Sequence, residues 1–263
     1  MNPTRIFNFL KRYALKHPFY VAVYVFTYFL KDFSFDEHFY SKEEIIKKLQ
    51  EGKSIIRFGD GEINLLLDLK NHYHAFSPRL KSMMKEIVVS YSQKSSYILS
   101  VPIFINYSNK KLKEIGKFNV WLPFKVMFFL IFPKKVSYMD AHNFYYNQYF
   151  ENVIAPVFKD KIVVYITRKE TIESLKNNSR IPWSRCIFIE APEHNALKEY
   201  ENIKHNIDIE LSDVSPKDIV LFFAMGPAGK YIIFEYSRIG YQCLDLGRGV
   251  EVMFTEKSLQ HLI

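Results

Sequence analysis

Apolar residues fall into two kinds of run along this chain, and their alternation sets the expected architecture. Short apolar runs bounded by glycine, proline or charge suit buried strands. They occur at Ile55 and Ile56, Ser95 to Pro102 (SSYILSVP), Val136 to Met139, Lys161 to Thr167 (KIVVYIT), Arg185 to Ala191 (RCIFIEA), Asp218 to Met225 (DIVLFFAM) and Tyr241 to Leu246. Between them apolar residues recur at helical spacing: from Ser41 with Ile45, Ile46 and Leu49 on one face, over Leu80 to Ser92, from Thr171 to Leu175, over Ala196 to His205, and over Lys230 to Ile239. Ser41 with Glu44 makes a capping box at the first of these helices, and Gly52 stops it. Strand, turn and helix alternate with short connections, which predicts an α/β chain with a doubly wound, mostly parallel sheet.

Two further apolar stretches stand apart. Val120 to Phe132 (VWLPFKVMFFLIF) is interrupted by Pro123 and Lys125 and is read as a core helix, with a dimer surface or a membrane-facing patch as the other readings. Residues 1–40 read as an N-terminal helical appendage to a domain spanning residues 41–263. Arg5, Lys11, Arg12 and Lys16 interleave there with Ile6, Phe7, Phe9, Leu10 and Leu15, ahead of the aromatic run PFYVAVYVFTYFL. That run has 13 residues, short of the roughly 20 that span a bilayer. The appendage suits peripheral contact with a membrane through residues 1–36, or packing on the domain or on a second subunit as a homodimer.

Composition narrows the partners. The chain has 263 residues, 48% hydrophobic and 24% charged, which is globular and not disordered. With 24 Phe and 18 Tyr it has ample rings for sugar stacking, membrane interfaces or a large core. A net charge of +8 favours acidic partners such as nucleotide phosphates or anionic lipid. Lysines are scattered and no nucleic-acid module appears, so nucleic acid is not expected. Cys186 and Cys243 lie in strand-like segments without metal-ligand spacing and read as buried free thiols of a cytoplasmic protein. No secretory signal is evident.

The chemistry concentrates at strand ends, where parallel sheets bind ligands. In Ser54 to Leu67 (SIIRFGDGEINLLL) a short strand runs through Arg57 into a glycine turn and a helix start. Gly59 and Gly61 flank Asp60 and free the backbone for positive φ and close approach to a ligand. Asp60 and Glu62, two residues apart, offer hard oxygen ligands for Mg²⁺ or Mn²⁺, and Arg57 offers a fork for phosphate. The plainer alternative is a turn in which Asp60 caps the following helix. Asp140 and His142 end one strand, Arg168 another, Asn195 follows a third, Gly226 opens a turn and Asp245 ends the last strand. Gly229 and Lys230 are adjacent but lack the spacing of a phosphate loop, so the Gly226 turn is either a plain strand-to-helix turn or a set of backbone N–H groups facing an anion. His72 and His74 read as surface or cleft-lining residues.

The RFGDGE stretch, the Asn195-Ala196 pair, the Gly226-Pro227 turn and GYQCLDLG (Gly240 to Gly247) together resemble the GT-D-type glycosyltransferases, from about Ser54 to about Glu251. The resemblance implies a Rossmann-like fold and a bacterial enzyme moving a sugar from a UDP-sugar to a glycan, glycoprotein or lipid-linked acceptor in polysaccharide or glycoprotein assembly. It implies that Asp60 and Glu62 hold Mn²⁺ or Mg²⁺ on the diphosphate. Arg57, Gly59, Gly61, Asn195, Gly226 and Arg248 would bind the nucleotide-sugar. Where many members continue with Gly-His-x-Asp, this chain has Gly247-Arg248-Gly249-Val250. Arg248 cannot be a base at neutral pH, which leaves Glu251, Asp245, Asp140 and His142 as candidate catalytic bases. The same departure motivates the alternative of a non-catalytic nucleotide-sugar or glycan-binding subunit. A dinucleotide-binding oxidoreductase is disfavoured because no G-x-G-x-x-G follows a strand.

Overall fold

A computed structural model describes residues 17–29, 33–68, 74–178, 182–183 and 185–253. Its centre is one all-parallel sheet of eight strands in the order β1-β4-β3-β2-β8-β7-β5-β6. The strands are β1 (His38–Phe39), β2 (Ser54–Arg57), β3 (Tyr97–Val101), β4 (Ser137–Asp140), β5 (Ile162–Thr167), β6 (Cys186–Glu190), β7 (Ile219–Ala224) and β8 (Cys243–Asp245). The longer helices are α1 (Pro18–Phe29), α2 (Lys42–Gln50), α3 (Asp60–Leu66), α4 (Pro78–Val89), α5 (Asn109–Glu114), α6 (Phe118–Ile131), α7 (Lys169–Lys176), α8 (Tyr200–Leu211) and α9 (Pro227–Arg238).

Parallel pairing requires crossovers, and helices on both faces bury the strands completely. Successive residues point to opposite sides. Ile56, Leu99, Val164 and Leu221 join one core cluster, and their neighbours Ile55, Ile98, Val163 and Phe222 join the other. This explains why the strand runs are apolar throughout rather than alternating. The expected doubly wound sheet is therefore present.

Several boundaries differ from the sequence expectation. The capping box at α2 is present, with Glu44 N–H to Ser41 Oγ at 3.2 Å and Ser41 N–H to Glu44 Oε2 at 2.7 Å. The helix after β7 starts at Pro227, not Lys230, because proline is preset for the first helical position. Gly226 before it has φ +72°, a value that suits glycine. The helix after β6 starts at Tyr200, preceded by a 3-10 turn over Ala196–Glu199. Cys186 is half-buried and Cys243 buried, both free, and burial pushes both thiols up.

The described part of residues 1–40 packs on the domain, one of the readings expected for it. His38 and Phe39 pair with Ser137 and Tyr138 as the edge of the sheet. Tyr20, Val21 and Tyr24 of α1 join the main core. The basic segment before His17 lies outside the described residues. At 12 residues, α1 cannot cross a membrane, and no described helix is long and apolar enough to do so.

The apolar Val120 to Phe132 block forms most of α6 and is core, as expected. Lys125, which interrupts it, is buried. Its ammonium donates to Phe33 O (2.5 Å), Tyr107 O (2.7 Å) and Asn109 Oδ1 (3.0 Å). One cation thus ties the chain leaving α1 to the start of α5, and burial pulls its pKa down to about 8. Replacing it with an apolar side chain strands three acceptors. Lys125→Met is expected to lose about 2–4 kcal/mol of stability, read from urea unfolding at neutral pH. An unchanged midpoint would mean that water replaces the ammonium.

Candidate active site

Each strand from β2 to β8 sends at least one residue from its carboxyl end into a single cavity of about 580 Å³. That volume is within the roughly 300–1,000 Å³ of small-molecule sites. The sheet topology alone therefore collects residues that are far apart in sequence. Asp60, Glu62, Arg57, Gly59 and Gly61 come from the β2 turn, Ala141, His142 and Tyr145 from the end of β4. Gly226 and Lys230 follow β7, and Asp245, Arg248 and Glu251 follow β8.

At the floor is a cluster of four buried charges. Lys230 Nζ lies 2.5 Å from Asp245 Oδ2 and 3.4 Å from Glu62 Oε1. Asp245 Oδ2 also accepts the Arg57 backbone N–H at 3.1 Å. The Arg57 guanidinium donates from Nη1 to Leu246 O at 2.5 Å and lies over the rings of Tyr145 (4.9 Å) and Phe144 (5.6 Å). Burial works to lower the pKa of both cations, but Asp245 and Glu62 outweigh it for Lys230, and Tyr145, Asp245 and Glu62 outweigh it for Arg57. Both stay charged. Gly247 has φ +49°, and a Cβ there would sit 3.0 Å from Arg57 Nη1, so the backbone reaches the guanidinium only because the residue is glycine.

The β2 turn differs in detail from the expectation. Gly59 is extended and Gly61 is helical, so neither adopts positive φ. The capping carboxylate is Glu62, not Asp60: Glu62 Oε2 accepts the Gly59 N–H at 2.8 Å. Asp60 opens α3 and is exposed, its Oδ1 accepting the Gly61 N–H at 2.9 Å. Among the described residues no group of three or more His, Cys, Asp or Glu is poised around one point to hold a metal. The two carboxylates nevertheless suit a hard divalent cation, because Mg²⁺ is usually held by one or two carboxylates with phosphate oxygens and water completing the shell. Asp60 lines the cavity with oxygen lone pairs to spare, and Glu62 Oε1 is paired with Lys230 at 3.4 Å.

Of the four candidate bases, Asp140 is committed to His142 and to two backbone N–H groups, and the other three separate clearly. Asp245 is buried and held by two N–H donors, which makes it a structural anchor. Glu251 is gripped at both oxygens by Arg248, from Nε at 3.0 Å and Nη2 at 3.1 Å. His142 is buried beside Phe104, Trp121 and Tyr145. Its Nδ1 lies 3.1 Å from Asp140 Oδ1, which also accepts the His142 and Ile103 backbone N–H groups. A carboxylate so held fixes the ring and assigns the proton to Nδ1, leaving Nε2 as the basic nitrogen.

Asn195 does not reach the cavity. It has φ +55°, and its Oδ1 accepts the Ala75 N–H at 3.1 Å, so it joins two loops rather than a ligand. His74 is buried, not superficial or cleft-lining, and burial together with His194 and Lys230 pulls its pKa down to about 4. His72 lies outside the described residues. Lys230 lies outside the site expected from sequence because its spacing does not fit a phosphate loop. Its one signal was a lysine in the first turn of a helix behind a Gly-Pro turn. Trp121 was passed over as part of an apolar block, yet it lines the cavity, and its buried Nε1–H has no partner among the described residues; the same holds for Arg57 Nε.

Comparison with known proteins agrees with the fold. A probable glycosyl transferase of Streptococcus gordonii is 22% identical over 209 residues, which are 76% of this chain and 30% of that protein. The chain thus spans less than a third of that relative's length. A solved glycosyltransferase from Streptococcus sanguinis superposes with a TM-score of 0.67 at 21% identity, over 81% of this chain and 82% of that one. A second structure, described as having a distinct glycosyltransferase fold, gives a TM-score of 0.67 at 18% identity over 87% and 82% of the two chains. These two share the fold. The model of the GT-D-fold glycosyltransferases matches residues 55–252, and the chain belongs to that family.

Proposed function

We propose that the protein transfers a sugar from a UDP-sugar to a hydroxyl of a glycan, glycoprotein or lipid-linked acceptor, with a divalent ion at the donor diphosphate. The observation that carries this reading is the cavity itself. Exposed and buried carboxylates, two buried cations and an oriented histidine share one wall-to-wall space at the carboxyl edge of the sheet.

In this reading Asp60 and Glu62 hold the ion, Mn²⁺ or Mg²⁺, which supplies Lewis-acid neutralisation of the departing diphosphate. Arg57 and Lys230 place fixed positive charge where negative charge develops, in a site too buried for water to screen it. His142 Nε2 takes the proton from the acceptor hydroxyl, while Asp140 steadies the imidazolium that forms. The acceptor oxygen bonds to the anomeric carbon, the bond from that carbon to the diphosphate oxygen breaks, and its electron pair leaves with UDP. The Trp121 Nε1–H and the Tyr145 ring suit a sugar hydroxyl and a sugar face. Arg248, paired with Glu251 at the cavity, cannot accept a proton and serves to fix the last turn.

Calorimetry with a panel of UDP-sugars, with and without Mn²⁺, tests the donor site. Binding is expected to need the ion and to be lost in Asp60→Ala/Glu62→Ala. Binding that ignores both changes would reduce the β2 turn to a helix cap. With a donor in hand, His142→Gln is expected to lower kcat by about 10²–10⁴ while leaving donor affinity intact. Equal turnover in that variant would return the base to another group or favour a non-catalytic, binding role. Lys230→Met leaves Glu62 and Asp245 without their shared cation. It is expected to cost about 3–5 kcal/mol in unfolding, which Lys230→Arg recovers in part; a stable Lys230→Met protein would contradict the charge cluster described above.

A further inference from the structure

One surface of the molecule is not explained by sugar transfer. The five solvent-facing residues of α1 are Pro18, Phe19, Ala22, Phe26 and Phe29, and none is polar. Phe19, Phe26 and Phe29 are 69%, 66% and 75% exposed. None of the polar side chains of the helix is exposed: Tyr20, Tyr24 and Thr27 are buried and Tyr28 is half-buried. Phe129 of α6, itself 48% exposed, continues the patch and closes with Phe26 a groove of about 310 Å³. Solvated proteins seldom keep such a face uncovered.

Charge indicates what covers it. α5 is pinned against α1 by Asn109 Nδ2 donating to Thr27 O at 2.6 Å. It carries Lys110, Lys111 and Lys113, all exposed, against one exposed acid, Glu114. Lys113 Nζ sits 5.7 Å above the Tyr28 ring, at the border of the patch. In the sequence, residues 1–31 contain five Lys or Arg and no Asp or Glu. Exposed phenylalanines bordered by lysines match the acyl boundary and the anionic headgroups of a lipid leaflet together. A second copy is a poorer match, since each subunit would bring its own basic border and a net charge of +8.

We propose that the α1 face and its lysine border dock on an anionic lipid surface, with α1 lying in the plane of the interface. This goes beyond the transferase reading and does not depend on it, because lipid binding is read without any sugar donor. The full chain is mixed with vesicles of phosphatidylcholine alone and of phosphatidylcholine with about one quarter phosphatidylglycerol, and sedimented at low and high salt. Sedimentation is expected with the anionic vesicles only, and weaker at high salt. Phe26→Glu/Phe29→Glu is expected to weaken it by at least about tenfold, and Lys110→Glu/Lys111→Glu/Lys113→Glu to weaken it and flatten the salt response. UDP-sugar binding and the unfolding temperature are expected to stay as in the wild type. Should the double variant fold poorly, Phe26→Trp supplies a second readout, a blue shift of emission on anionic vesicles. A full chain that stays in solution, variants that sediment like the wild type, or an emission that does not move would each overturn the proposal. So would light scattering that shows a dimer in the wild type and a monomer in Phe26→Glu/Phe29→Glu, which would give the face to a second copy.

Discussion

The Lys230 ammonium between Asp245 and Glu62 is the contact on which the rest of the centre depends. It joins α9, the end of β8 and the first turn of α3. The ladder between β2 and β8 pairs Ile55 with Leu244. Beyond that pair, side chains take over from backbone: Asp245 accepts the Arg57 N–H, and Arg57 donates to Leu246 O. Two cations and two carboxylates compensate one another, so the cluster carries no net charge. A buried ion group of this kind is costly to desolvate and worse to leave half-made. It therefore specifies one arrangement of the β2, β7 and β8 turns.

That arrangement places chemistry in order around the cavity. The carboxyl ends of β2, β7 and β8 present charge, while the end of β4 presents the Asp140–His142 pair inside an aromatic wall of Phe104, Trp121 and Tyr145. The aromatic wall comes largely from α6 and the loop after β3, and α6 in turn carries α1 on its outer side. The same apolar helix thus lines the site with Trp121 and supports the exposed phenylalanine face through Phe129. The cavity and the exposed phenylalanine face are thus joined by one element.

Much of the fold was legible because its signals are local. A strand covered on both faces is apolar at every position, so runs such as DIVLFFAM and KIVVYIT need no partner to be recognised. The capping box at Ser41 and the proline at the start of α9 are likewise local rules. The β2 turn was found for the same reason, since Arg57, Asp60 and Glu62 lie within six residues. What a local pattern does not carry is the burial of a single polar group. Lys125 reads as an interruption in an apolar block, and only the meeting of Phe33, Tyr107 and Asn109 makes it a clamp. His38 and Phe39 look like part of a helical appendage until Ser137 and Tyr138, far along the chain, accept them as an edge strand.

The sequence by itself determined the class of fold, the strand-end turns and the carboxylates of the β2 turn. These follow from periodicity, from glycine and proline, and from the preference of parallel sheets to bind at their carboxyl ends. Tertiary structure decided how the polar residues at the cavity are held. Asp245, Glu251 and His142 are indistinguishable as candidates in one dimension, but folding surrounds the first with N–H donors, locks the second to Arg248 and orients the third through Asp140. It also promoted Lys230 and moved Asn195 away from the cavity to Ala75. The reason is physical: a side chain's role depends on its solvent exposure and on its hydrogen-bond partners. In this chain those partners lie up to 193 residues away.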